Sequence, residues 1–289
     1  MKKMVASLIL SLLAIVIQAQ EVVPYRIFNS KASIVSFEIL AEQANNSDVV
    51  FFGELHNSAI AHWLELELAV SMQKRFSSNL VLGAEMFEAD NQLLLDELLE
   101  KRIPIQKFEA DGRFWPNYKT DYKPLVEFAL ANKLRFVATN IPRRYAAAVG
   151  KDGLFILNSF SADAKRYFAP LPILYDTSLS CYKSMQSMAM ASGGHGPAYI
   201  VDAQAAKDAT MAHFIMLNFP KEGAFLHFNG SYHSDNHEGI VDLVHRKMPK
   251  LKILVITTVE QDQLETLDDE NEGHADFTIV VNSRITKTY

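Results

Sequence analysis

Cysteine is nearly missing from this chain. Cys181 is the single one among 289 residues, so no internal disulfide can form. It also lies far from the start, so no lipid-anchor cysteine follows the leader. Dense basic clusters are missing too. The net charge is −6, and nothing in its distribution favours a nucleic-acid partner. There is no internal repeat and no low-complexity linker. The apolar run Val5 to Ile17 falls short of the roughly 20 residues that a membrane span needs. With Lys2 and Lys3 before it and Ile17-Gln18-Ala19 after it, the run reads as a secretory signal at residues 1–19. A retained N-terminal anchor is the alternative. The expectation is a soluble exported protein, in the periplasm or the outer cell envelope, without a lipobox cysteine.

What is present is a large apolar fraction, 49% of the residues, enough for a substantial core. Asp48 to His56, DVVFFGELH, carries the clearest signal. Four apolar residues in a row suit a strand buried on both faces. Gly53 permits the turn that ends it, and Glu54 and His56 then fall just past the carboxyl end. Further buried strands are expected at residues 79–84, 134–140, 224–229, 252–259 and 277–282, with a short edge strand within 22–28. Helical periodicity fills the gaps at 33–45, 57–76, 90–101, 121–132, 198–218 and 237–247. Residues 103–116 read as irregular. Residues 260–276 hold eight acidic residues and read as a solvated loop. Strands alternating with helices predict an α/β fold with a mainly parallel central sheet. After the signal, residues 20–289 read as a single domain, with a partly helical insertion or lid at about 150–197.

Four strands end in polar residues: Glu54 and His56; Glu85; Asn140, Arg143 and Arg144; Asn229, Tyr232 and His233. In a parallel sheet those ends share one rim, where ligands bind. Glu54, His56, Glu85 and His233 in one cleft can hold zinc or another divalent metal. They can act without metal, a histidine serving as general base on water, or form a hydrogen-bond network with no chemistry. A Glu-x-His triplet after a strand also serves as a helix cap or a buried polar pair. His62 and Glu65 share a helix face and can support the site from behind. His237, four residues after His233, is a further candidate if helix begins there.

The segments GELHNSAIAHWLE, GAEMFEADNQLLLDELL, TNIPRRYA, the helix with Gln204, Lys207, Asp208, Met211 and Ala212, and NGSYHSDNHEGI together resemble the ChaN-like haem-binding family. They occur in the family's order over roughly Asp48 to Val244. The wider superfamily includes erythromycin esterase and the Tiki proteins. The resemblance implies an α/β fold, export to the envelope and a role in haem or iron uptake beside an envelope haem-transport system. It maps the superfamily's paired Glu/His motifs onto Glu54, His56, Glu85 and His233. Family members are often lipoproteins, and here the chain departs from them.

Haem requires an apolar slot and an axial ligand such as His, Met, Cys or Tyr. Residues 150–197 are rich in such groups, and Tyr175, Tyr182 and His195 are the candidates. A methionine-rich helix packing on the core is the competing reading of Met185 and Met188. Arg143 and Arg144 can clamp propionates or a substrate carboxylate, or be ordinary surface arginines. A haem held between two subunits, hence a homodimer, fits equally well. The leading expectation is a non-catalytic haem-binding protein. The alternative is a metal-dependent or histidine-based hydrolase.

Overall fold

The computed structural model describes residues 22–191 and 197–289; the expected signal and His195 lie outside them. The chain opens with β1 (Tyr25–Asn29), β2 (Ile34–Val35) and α1 (Phe37–Ala44). β3 (Val49–Glu54) follows, buried at every position. Its alternating side chains explain why all six residues can be apolar or small up to the terminal glutamate. Val50 and Phe52 pack with Leu64, Leu68 and Met72 on one face. Val49 and Phe51 pack with Met211, Ile215 and Val244 on the other.

α2 (Ala59–Phe76) begins where the Ser58 hydroxyl accepts the Ala61 N–H at 3.3 Å, an N-cap that satisfies one of the helix's open donors. β4 (Leu80–Glu88), α3 (Gln92–Leu99), α4 (Ile105–Asp111), α5 (Lys123–Asn132), β5 (Arg135–Asn140) and α6 (Arg143–Asp152) come next. α4 corrects the expectation of an irregular stretch. It is a short helix anchored by one fully buried residue, Phe108, too little periodicity to stand out. The insertion holds α7 (Ala162–Lys165) and α8 (Ser180–Ala191) and leads into α9 (Ile200–Asn218). Its Leu157, Phe168 and Ile173 pack with Tyr145 and Val149 of α6 and Ala206 of α9. β6 (Ala224–Gly230), α10 (Ile240–Lys247), β7 (Ile253–Gln261) and β8 (Phe277–Asn282) complete the chain.

The eight strands lie in the order β2-β1-β8-β7-β3-β6-β4-β5. β3 to β8 are mutually parallel, whereas β1 and β2 form an antiparallel edge beside β8. The chain moves outward from β3 to β4 and β5, returns to insert β6, then builds β7 and β8 on the other side of β3. That reversal makes the carboxyl ends of β3 and β6 the switch point at which doubly wound sheets bind ligands. Among the described residues no helix is long and apolar enough to cross a membrane.

Candidate functional site

A cleft of about 1170 Å³ opens on that rim, and Glu54, His56, Glu85 and His233 all border it. Glu54 closes β3 and Gly230 closes β6, while Asn140, also on the wall, closes β5. Glu85 reaches the rim through an irregularity in β4. Between Ala84 and Glu88 that strand advances four residues while β5 advances two, from Ala138 to Asn140. Bulges re-aim side chains in this way. Trp115, Ile141, Met185 and Ile200 supply apolar wall, and Lys151 and Lys207 stand at its border.

Two polar groups floor the cleft. In the first, His233 is held between carboxylates. Its Nδ1 lies 2.5 Å from Asp208 Oδ1, and its Nε2 3.1 Å from Glu85 Oε1. The Glu85 Oε2 accepts the Gly230 N–H at 2.8 Å. Burial alone would lower the His233 pKa, but the charges of Glu85 and Asp208 overcome it and raise it to about 9. Burial would likewise raise Glu85, yet the His233 charge pulls it down to about 2. His233 is therefore an imidazolium at neutral pH with both nitrogens engaged.

The second group surrounds Glu54. Its Oε1 accepts the Tyr122 hydroxyl and the His56 Nδ1–H, each at 2.7 Å. Burial opposes ionisation of Glu54, but the His56 hydrogen bond and the nearby His62 imidazole hold its carboxyl well below the usual range. A carboxylate only accepts, so His56 carries its proton on Nδ1. That leaves Nε2 on the cleft side, and the His56 side chain is 34% exposed. Burial disfavours its charged form, but Glu54 and Glu85 raise its pKa overall. Trp115 packs edge-on against it, centroids 4.7 Å apart. A Cβ on Gly230 would stand 2.8 Å from His56 Nε2, so glycine is what lets the imidazole lie against β6. Behind Glu54, buried His62 and Glu65 sit on α2, and the raised pKa of Glu65 reflects first its burial and then the Glu54 charge.

Each remaining candidate among the described residues is paired with an acidic side chain. Tyr182 is buried and its hydroxyl donates to Asp208 at 2.8 Å. The Tyr175 hydroxyl donates to Asp202 at 2.7 Å. Burial raises both phenols, and a neighbouring aspartate raises each further. Neither borders the cleft; Tyr232 and Met185 do. Arg143 is on the wall but pairs with Glu88. Arg144 turns to Asp90 and stacks over Tyr145 at 4.5 Å, away from the cleft. Arg113 joins the same network through Glu88 and Asp90. His237 ends a single 3-10 turn with φ 57°, ahead of the α-helix that begins at Ile240, and faces Asp276 at 3.2 Å. Among the described residues, the His, Cys, Asp and Glu groups that bring three ligand atoms within 4.8 Å of one another are Glu54, His62 and Glu65, not the four read from the strand ends.

Sequence reasoning placed Asp208 on α9 without seeing its role. Gln204 and Asp208 are four apart on one helix and both touch His233, Gln204 Nε2 at 2.9 Å from Nδ1. That spacing was the available signal. Tyr122 and Asp121 had none, because they act through a turn before α5.

A parallel α/β sheet with an acid- and imidazole-lined cleft at its switch point defines a ligand-binding or hydrolytic class. Within it, residues 40–244 match the family described as haem-binding uptake, Tiki superfamily, ChaN, and the chain belongs to that family. It is similar in structure to ChaN of Campylobacter jejuni, solved for its cofacial haem binding, with a TM-score of 0.66 at 19% identity over 89% of this chain and 96% of that one. A Bacillus cereus protein (TM-score 0.49, 10% identity, 86% and 92% covered) is more distant. So is an erythromycin esterase in its open conformation (0.46, 11%, 90% and 83%). No curated protein sequence matches the chain.

Proposed function

We propose that this chain binds haem in the rim cleft and serves haem or iron uptake at the cell envelope. The observation that carries this is the composition of the cleft. Apolar Ile141, Ala146 and Ile200 form a slot, with His56, Met185 and Tyr232 also lining it, the Tyr232 hydroxyl donating to the Cys181 carbonyl at 3.1 Å. Imidazole, thioether and phenol are the donors haem iron takes. Lys151 and Lys207 border the same space and suit propionates. The residues thus fit the group, and bound haem would supply an iron centre for carriage. Family membership and the cofacial haem of the Campylobacter protein support the same reading. Extending it, two copies share haem across facing clefts, and the basic-then-apolar residues 1–19 direct export to an envelope haem-transport system.

Hemin titration tests it. The expected result is a shifted Soret band that saturates at a fixed ratio, with affinity at least about tenfold weaker in Ile200→Glu, where a charge on the apolar wall must be desolvated. Nonspecific broadening alone, unchanged by Ile200→Glu, sinks the reading. The second reading is a hydrolase, favoured by the Glu54–His56 contact with Nε2 toward the cleft. It needs ester or amide turnover that disappears in His56→Ala. A substrate panel without turnover by the wild type removes it.

A further inference from the structure

Behind the cleft floor lies a group of side chains that neither haem binding nor hydrolysis uses. His62, one turn into α2 from its Ser58 cap, and Glu65, about one turn later, face the far side of Glu54. Glu65 has no exposed surface, and neither of its carboxylate oxygens has a hydrogen-bond partner. Glu54 Oε2 and both His62 nitrogens also lack hydrogen-bond partners. Burying so many polar atoms without partners costs several kcal/mol, which a bound cation would offset.

The spacing suits a cation better than a hydrogen bond. His62 Nε2 and Glu54 Oε2 are 3.4 Å apart, beyond the usual N–H···O range of about 2.7–3.2 Å. Two ligands on bonds of about 2.0–2.1 Å at the tetrahedral angle stand about 3.4 Å from each other. The third ligand atom, from Glu65, lies within 4.8 Å of both. The other His62 nitrogen, Nδ1, points at Asp121 Oδ2, also 3.4 Å away. Asp121 is fixed in turn by the Asn117 amide at 2.6 Å and the Thr288 hydroxyl at 2.7 Å. Metal-bound histidines commonly have a carboxylate beside their second nitrogen, and Asp121 stands on that side of His62.

We propose that Glu54, His62 and Glu65 form a buried site for a divalent transition metal, zinc or manganese, separate from the cleft. One imidazole and two carboxylates are a donor set that such ions accept. Glu54 belongs to both places: one oxygen serves His56 and Tyr122 at the cleft, and the other serves the ion. The ion would therefore set the position of His56 through a shared carboxylate. Without a metal, the alternative occupant is a proton shared by Glu54 and Glu65.

The test uses the full chain without hemin, so its outcome is independent of the haem reading. Protein purified without chelator is assayed for metal, then stripped and titrated with Zn²⁺. One ion per chain is expected, with affinity at least about tenfold weaker in Glu65→Gln and in His62→Gln, changes comparable with loss of a supporting ligand contact. His56→Ala should retain the ion. X-ray absorption at the zinc edge of the loaded wild type should show one imidazole and two or more oxygen donors. That measurement decides the matter even if a variant does not fold. The proposal is overturned if wild-type protein holds no Zn²⁺ after desalting. Unchanged binding in Glu65→Gln, or a spectrum with two imidazoles, overturns it as well.

Discussion

The two halves of the cleft floor are built from the same residue types and behave differently. Around His233 every charge is answered: Glu85 and Asp208 take the two ring nitrogens, and a backbone N–H takes the second Glu85 oxygen. Around Glu54 the groups are left open. His56 keeps one nitrogen toward the cleft, and His62 and Glu65 have buried atoms without hydrogen-bond partners. A satisfied buried network fixes structure, whereas one with open positions has capacity for a ligand. Under the proposed function, the His233 half holds β4, β6 and α9 together and the Glu54 half binds.

The strongest way to break it is to unbalance the first half. Glu85→Ala leaves a buried imidazolium short of one partner and the Gly230 N–H without an acceptor. Removing one member of a buried pair typically costs about 3–5 kcal/mol. Chemical denaturation should show a loss of that size; less than about 1 kcal/mol would mean that the triad is not structural.

The second effect is pH dependence. The His233 pKa is raised to about 9 in the folded chain, above its unfolded value. Its contribution is fully present below about pH 6.5 and fades as pH rises through 9. Glu85, lowered to about 2, contributes above about pH 4.5 and loses this as pH falls through 2. Wild-type stability should therefore fall between pH 6.5 and 9 by up to about 3 kcal/mol. The decline should flatten in His233→Gln. Parallel slopes in the two proteins would place the titrating group elsewhere.

How much of this was written in the sequence depends on distance along the chain. The rim was legible because strand ends are local: VVFFGE and AFLHFNG each end in the residue that meets the cleft. Their parallel direction followed from the alternation of strands with helices. What could not be read was pairing across the chain. Arg143 and Arg144 look free in TNIPRRYA, but the β4–α3 connection presents Glu88 and Asp90 to them from more than 50 residues away. Tyr175 and Tyr182 look like haem ligands until α9 brings Asp202 and Asp208 against their hydroxyls. The Glu88 end of β4 was hidden because strand pairing beyond Ala84 depends on a register shift that no local pattern marks.

A smaller perturbation probes the boundary between the halves. Gly230→Ala puts a methyl group where His56 Nε2 now lies, 2.8 Å from it, with no backbone penalty at φ −56°. The imidazole must move. Local overpacking of this kind costs about 1–3 kcal/mol, and the lower figure applies because the displaced group is a partly exposed side chain. If the cleft binds hemin through the wall His56 shares, the Soret maximum should shift while the thermal midpoint falls by only a few degrees. An unchanged hemin spectrum would show that the imidazole does not take part in the cleft.

The smallest effect on stability is expected from His56→Ala, and it separates the halves most cleanly. Tyr122 still donates to Glu54 Oε1 after the change, so the buried carboxylate keeps one hydrogen bond there. The lost group is one-third exposed, and a hydrogen bond of this kind nets about 0.5–1.5 kcal/mol. Denaturation should therefore move by about 1 kcal/mol at most, against several for Glu85→Ala. Hemin affinity should move the other way round, falling in His56→Ala and holding in any Glu85 variant that still folds. The same ordering for stability and for binding would mean that the floor is a single network, and the division between a structural half and a binding half would fail.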